Sequence, residues 1–374
     1  VSTSITIVGA SVRAAAASAA RAGLQVRAAD LFADDDLRAW CPAVRVANYP
    51  REFEAVLRAA PTNGWMYTGA IENYPRLVER MSKVAPLWGN PCEVLRAVRN
   101  PMQVNAALRA AALPCPAVQR DDAGIPADGT WLCKPLRSAG GSGIEWRRAG
   151  SHRAKRGHYF QQFVPGLAMS ALYVATHSAA VLLGVTRQIV GGDGNGQNGF
   201  RYSGSIGPLD APQRIADAFA RIGDALAAQF DLRGLFGVDA IVNDGGVWPV
   251  EVNPRFPASA ELYDWAGGVS TVGLHVAACR GDRLEAPPLP TTRLVYGKAI
   301  VFADRTYTVG DGLEKLAGTR IAHDWPLLAD IPAKGSTIRT GEPIVTLFAA
   351  EQSEPRVLET LRAQTQSVLT ALAR

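Results

Sequence analysis

The chain opens on a run of apolar residues, Ile5-Thr6-Ile7-Val8, that breaks at Gly9-Ala10-Ser11 into an alanine-rich stretch from Val12 to Ala22. A short continuous apolar run reads as a buried strand and the alanine stretch as a helix. Gly23 stops the helix, and Val26 to Asp30 reads as a second strand. Strand, helix, strand in that order predicts a βαβ unit on a parallel sheet. Gly9-Ala10-Ser11-Val12-Arg13-Ala14 lacks the later glycines of a dinucleotide fingerprint, so the turn reads as structural, with Ser11 or Arg13 left as possible ligand contacts. Trp65 to Gly69 predicts another strand, and Pro75 to Ser82 and Val94 to Val98 predict helices. Asn100-Pro101 restarts a helix through Ala112, since proline is tolerated in a first turn, and Pro114 and Pro116 end it. The first boundary is placed near residue 100.

The pattern then changes. Thr130 to Lys134 is a strand, followed by a Gly/Ser loop and a returning strand at Ile144-Glu145-Trp146. Tyr159 to Val164 reads as a buried strand ending at Pro165-Gly166, and Ala171 to Thr176 with Val181 to Val190 as an antiparallel pair. Gly191 to Gly196 reads as a turn or lid, and Pro212 to Phe230 as a long amphipathic helix. Gly237 to Val242 and Val247 to Val252 flank Asn243-Asp244-Gly245-Gly246, a hairpin signal. Short strands at Val295 to Phe302, Arg305 to Tyr307 and Ile344 to Phe348 precede a terminal helix over Leu358 to Leu372. Four units follow: 1–100, a Rossmann-like βαβ domain; 101–158, a small subdomain with the Gly-rich loop; 159–290, a larger subdomain; and 291–374, a small β-rich extension with the last helix.

Composition narrows the function classes. With 374 residues, 48% of them hydrophobic, the chain has enough apolar side chains for two or three packed cores, and disorder is excluded. The formal charge of +5 is spread along the chain, apart from a short basic cluster at Arg147, Arg148, Arg153, Lys155 and Arg156, read as a surface loop. That excess argues for small anionic ligands and not for nucleic acid. The five cysteines lack a CxxC and are odd in number, which argues against a disulfide framework and for a reduced, cytoplasmic setting. No run is long enough to span a bilayer, and no signal-peptide pattern opens the chain. The five histidines lie apart, without metal spacing, and no Ser-His-Asp pattern is present.

Three stretches carry chemistry. On the hairpin, Glu251 and Asn253 alternate onto one face of their strand, and Asp239 on the partner strand converges on them. Two carboxylates and an amide oxygen form a hard, all-oxygen set of the kind Mg²⁺ takes together with water and substrate phosphates. Arg255 points the same way and is placed to hold a transferring phosphoryl group. A polar hairpin face meeting solvent is the competing reading. In the second stretch, Lys134 ends a strand before Pro135-Leu136-Arg137-Ser138-Ala139-Gly140-Gly141-Ser142-Gly143, a loop whose backbone N–H groups can fold over a triphosphate. It is not a P-loop, because GxxxxGK[ST] is absent. In the third, Gln161-Gln162-Phe163-Val164 stops at Pro-Gly and leaves unpaired backbone groups that can bind an adenine edge.

Together these stretches resemble the ATP-grasp superfamily over about residues 100–275. The resemblance implies an α/β fold with a preceding Rossmann-like domain, and MgATP (or MnATP) held between two subdomains. It implies γ-phosphoryl transfer to a carboxylate and attack by an amine on the acyl phosphate. By position, Lys134, Ser138, Gly140, Gly141, Ser142 and Gly143 would hold phosphates, and Gln161, Gln162, Phe163 and Val164 would hold adenine. Asp239, Glu251 and Asn253 would hold the metal, with Arg255, Arg187 and Lys134 catalytic. The acid that grips ribose in many members is missing from Gly166 to Ser170, leaving Ser170 as the candidate. A finer resemblance, in Glu72-Asn73-Tyr74-Pro75, Leu87-Trp88-Gly89-Asn90, Asn198 to Gly204 and Asn253-Pro254-Arg255, is to ligases of methanofuran- and methanopterin-type one-carbon cofactor pathways that join glutamate to tyramine or tyrosine. It implies small-molecule carboxylate and amine substrates and a homodimer. The alternatives are a phosphotransferase on the same fold and a nucleotide-binding module without turnover. A biotin carboxylase is disfavoured, since Lys334-Gly335 lacks flanking methionines.

Overall fold

A computed structural model describes residues 3–148, 156–176, 179–191, 199–282 and 294–372. The lid expected at Gly191–Gly196 (beyond Gly191), residues 149–155 of the basic cluster (including His152) and His177 lie outside the described residues.

Strands β1 (Ser4–Val8), β2 (Gln25–Asp30), β3 (Ala43–Arg45) and β4 (Gly64–Tyr67) form a parallel sheet in the order β3-β2-β1-β4. The alanine stretch is the helix Arg13–Arg21, whose small side chains let it lie close on the sheet beside Ile5 and Ile7. Gly9 is required at the turn into this helix: a Cβ there would sit 1.9 Å from the Thr68 hydroxyl oxygen.

Strands β5 (Val118–Gln119), β6 (Asp128–Pro135), β7 (Glu145–Arg148) and β8 (His158–Gln162) make a small antiparallel sheet, β5-β8-β6-β7. The third sheet has eight antiparallel strands. They are drawn from β9 (Leu167–Thr176), β10 (Ala179–Val190), β11 (Tyr202–Leu209), β12 (Gly234–Asn243), β13 (Gly246–Asn253), β14 (Val295–Phe302), β16 (Leu328–Ala329) and β18 (Pro343–Glu351). The order is β13-β12-β9-β10-β11-β14-β18-β16, and β15 (Tyr307–Thr308) pairs separately with β17 (Thr337–Ile338). The strands after residue 294 thus continue the main sheet, and the terminal helix Glu354–Leu372 packs beneath them through Val357, Leu361 and Val368.

Strand alternation divides the large sheet into two faces. On β9, Met169, Ala171 and Tyr173 pack on the helix Gln213–Phe230, which offers Ile215, Phe219, Ile222 and Leu226 at helical spacing. Leu172 and Val174 pack the other way, against Ile5, Ile7 and the first helix. Asp239 on β12 and Thr186 on β10 lie level with Ser170 of β9, so the polar end of this face looks toward the N-terminal domain.

A buried ion network fastens that contact. Arg13, 4% exposed, bonds to Glu261 and to Asp330, and Glu261 also accepts from Lys298 Nζ at 2.9 Å. Burial would raise the Glu261 carboxyl, but Arg13 and Lys298 outweigh it and hold the group at about 2. Arg13, a possible ligand contact in the sequence, is thus committed to structure. His275 does the same work elsewhere: its Nδ1 accepts from the Leu235 N–H at 2.8 Å and its Nε2 meets the Trp88 carbonyl at 3.0 Å. All five cysteines are free thiols.

Candidate active site

The hairpin brings Asp239, Glu251 and Asn253 together. Asp239 and Glu251 are direct cross-strand partners, and Asn253 lies opposite Gly237, two residues along β12. Asn253 Nδ2 donates to Asp239 Oδ2 at 3.0 Å, and the Ser170 hydroxyl on β9 also bonds Asp239. Burial, then the neighbouring Glu251 charge, pushes the Asp239 carboxyl up to about 6. Burial acts on Glu251 too, but Arg99, Lys134 and Arg255 hold that carboxyl below its usual range. Two adjacent carboxylates, one of them resisting ionisation, form a site that a divalent cation would neutralise. Among the described residues no group of three or more His, Cys, Asp or Glu is placed to hold a metal ion by itself.

Arg255 joins this group and links it to the N-terminal domain. Its Nη2 donates to Asn253 Oδ1 at 3.0 Å and its Nε to Glu72 Oε1 at 3.1 Å, with Glu72 1% exposed. Arg99 was not singled out in the sequence, yet it is central. Its Nη1 donates to Glu251 Oε1 at 2.6 Å, and its Nη2 reaches Asn73 Oδ1 and the Ser138 carbonyl, each at 3.4 Å. The available signal was its place directly before Asn100-Pro101, in the break between two helices, where it caps the C-terminus of the helix Cys92–Val98.

Lys134 sits buried at the end of β6, donating to Gln161 Oε1 at 3.0 Å and to the Val250 carbonyl at 3.4 Å. A cleft lies here, lined by Arg99, Lys134, Tyr159, Gln161 and Glu251 among others. The loop Ser138–Gly143 folds toward the same place. Asn73 Nδ2 donates to the Ser138 carbonyl at 3.2 Å, and the Tyr202 N–H donates to the Gly140 carbonyl at 3.0 Å. Gly141, at φ +78°, passes so close that a Cβ would fall 1.8 Å from the Phe200 carbonyl oxygen.

At the end of β8, the Phe163 N–H donates to the Thr130 carbonyl at 2.8 Å, while among the described residues the Val164 N–H makes no backbone hydrogen bond. Trp146 packs on Phe163 with ring centroids 4.7 Å apart, which gives this edge an aromatic wall. The two glutamine amides are otherwise engaged: Gln161 holds Lys134, and Gln162 Oε1 accepts from the Ala117 N–H at 3.3 Å. Ser170, the ribose candidate, lies against Asp239, beside the paired carboxylates.

Arg187 is corrected. It follows Thr186, which faces Ser170, so strand alternation turns Arg187 to the opposite face of β10. There it pairs with Glu354 of the terminal helix at 3.3 Å, on the far side of the sheet from Asp239 and Glu251.

A small antiparallel sheet and a large one, with a lysine, a Gly-rich loop and an Asp/Glu/Asn hairpin between them, behind a parallel N-terminal domain, define the ATP-grasp fold. Residues 98–259 match the family model of the ATP-grasp domain. The solved carboxyaminoimidazole ribonucleotide synthase of Aspergillus clavatus, complexed with ATP, superposes with a TM-score of 0.74 at 13% identity, over 99% of each chain. The L-amino acid ligase of Bacillus licheniformis superposes with a TM-score of 0.69 at 14% identity, over 98% of this chain and 97% of that one. At such identities the likeness is one of fold. An uncharacterized protein of Methanocaldococcus jannaschii is 28% identical over 151 residues, 40% of this chain, and the match spans about a third (34%) of that relative's length. Among the described residues, no helix is long and apolar enough to cross a membrane.

Lys134→Ala is expected to weaken nucleotide binding about tenfold or more, the scale of a lost charge-assisted hydrogen bond. Calorimetry with a non-hydrolysable ATP analogue checks this, and an unchanged Kd would remove Lys134 from the phosphate site.

Proposed function

We propose that this chain is an ATP-dependent ligase that phosphorylates a carboxylate and passes the acyl group to an amine. The observation that carries the reading is the pairing of Asp239 with Glu251 beside Asn253, with Arg99, Lys134 and Arg255 converging on the same point. The all-oxygen donor set fits Mg²⁺ or Mn²⁺, which when bound would neutralise charge on the β- and γ-phosphates.

Carboxylates are poor electrophiles at neutral pH. A substrate carboxylate oxygen attacks the γ-phosphorus, the bond to the β-phosphate oxygen breaks, and ADP leaves. The amine then attacks the acyl carbon, loses a proton and expels inorganic phosphate. No protein nucleophile is needed: the residues position reactants and oppose developing charge. Arg255 and Arg99 flank the transferring group, Lys134 and the Ser138–Gly143 backbone hold the phosphates, and the Val164 N–H with the Phe163–Trp146 wall receives adenine. The finer reading is an amino acid such as glutamate joined to a small amine in one-carbon cofactor synthesis, by a cytoplasmic homodimer. It rests on the motif resemblance, whose Glu72-Asn73 segment lies at the site: Glu72 anchors Arg255, and Asn73 binds the Gly-rich loop.

The test is a phosphate-release screen of amino acids and amines with MgATP. The ligase reading predicts release that needs both an acid and an amine. Release with one substrate and a stable phosphorylated product would favour a kinase instead, and no release with any pair would favour a module without turnover.

A further inference from the structure

Beyond the residues already described, the outer clefts are lined by several arginines that, among the described residues, lack acidic partners. One cleft opens beside Glu72, Asn73 and Arg99 and has Arg96, Arg120 and Arg137 on its walls. A second shares Asn73, Pro75, Arg96 and Arg137 with it and adds Arg51 and Arg76. The shared walls make the two a single groove leading outward from the site. Arg80, also on the outer cleft, is paired with Glu54. Arg51, Arg76, Arg96, Arg120 and Arg137 are exposed and, among the described residues, form no ion pair. Among the described residues, Glu72 is the only acid lining either cleft, and Arg255 already holds it.

Five unpaired guanidinium groups along one concavity repel each other and create a positive field in it, which is a cost unless an anion is meant to enter. Guanidinium forks match carboxylate and phosphate oxygens two at a time. The inner end of the groove is Arg99, which bonds Glu251, and Asn73, which bonds the Gly-rich loop. An anion in the groove therefore reaches the reacting centre at one end.

We propose that this arginine-lined groove binds an anionic extension of the ligase's substrate, a chain or group bearing several carboxylates or a phosphate, and holds the reacting end at Arg99. This rests on the ligase reading above. A small molecule is favoured over nucleic acid because the charge lines a concavity continuous with the site and not a convex face.

The experiment uses the full chain presaturated with magnesium and a non-hydrolysable ATP analogue, so that the nucleotide site is filled. Tri-γ-glutamate and glycerol 3-phosphate are titrated separately by calorimetry, alongside a short single-stranded oligonucleotide. The expected result is saturable, salt-sensitive binding of at least one small anion, and which one binds tells carboxylate from phosphate. In Arg96→Gln/Arg120→Gln that affinity falls about tenfold or more, as for lost charge-assisted contacts, while nucleotide affinity stays within about twofold. The proposal is overturned if neither small anion binds, if the nucleotide analogue displaces the anion, if the double variant binds equally well, or if only the oligonucleotide binds. Should the analogue itself fail to bind, the ligase reading falls. Titration of the nucleotide-free protein then decides on the groove separately.

Discussion

Glu251→Gln is expected to lose about 10²–10³-fold in kcat for MgATP-dependent phosphate release, the scale seen when one stabilising group is removed from a preorganised site. The substitution keeps an acceptor for the Arg99 Nη1 bond at Oε1, so the cleft stays closed around it. It removes one of the two negative charges that the metal would neutralise. The deficit should shrink as magnesium is raised, whereas a defect in folding would not respond. Glu251→Ala, which also strands Arg99, is expected to abolish release. Full activity in either variant would remove Glu251 from the metal site.

Arg13→Met is expected to destabilise the fold by about 3–5 kcal/mol, the range for removing one partner from a buried ion pair. Met fills much of the volume but leaves Glu261 with Lys298 alone, and takes from Asp330 its arginine partner. The pH dependence follows from Glu261. Its carboxyl is held at about 2 in the fold against an ordinary value of 4.5. Its contribution is therefore full above pH 4.5 and disappears as the pH falls toward 2. The gap in apparent melting temperature between the parent chain and the variant should be widest at neutral pH and close in acid. A gap that does not vary with pH would show that Arg13 acts by packing alone.

Much of the architecture was legible because periodicity and turn residues are local signals. The β1 run and Gly9, the Gln213–Phe230 stripe, and the Asn243–Gly246 turn each specify an element without reference to the rest of the chain. The hairpin carboxylates were legible for the same reason: once the turn is placed, register puts Asp239 opposite Glu251. What could not be read depends on non-local packing. Arg99 meets Glu251 across 152 positions of sequence, and Arg255 meets Glu72 across 183. Arg187 was misplaced because its face depends on β10 lying level with β9, and on a bulge between Leu182 and Gly184 that resets the alternation. The engagement of Gln161 and Gln162 was hidden likewise, since their partners Lys134 and Ala117 lie in other elements.

One measurement reaches the central claim most directly: anomalous scattering from crystals of the chain grown with Mn²⁺ and a non-hydrolysable ATP analogue. The account predicts manganese within about 2.5 Å of carboxylate oxygens of Asp239 and Glu251 and the amide oxygen of Asn253, with phosphate oxygens completing the shell. Manganese bound elsewhere, or nucleotide seated away from Lys134 and the glycine loop, would contradict it.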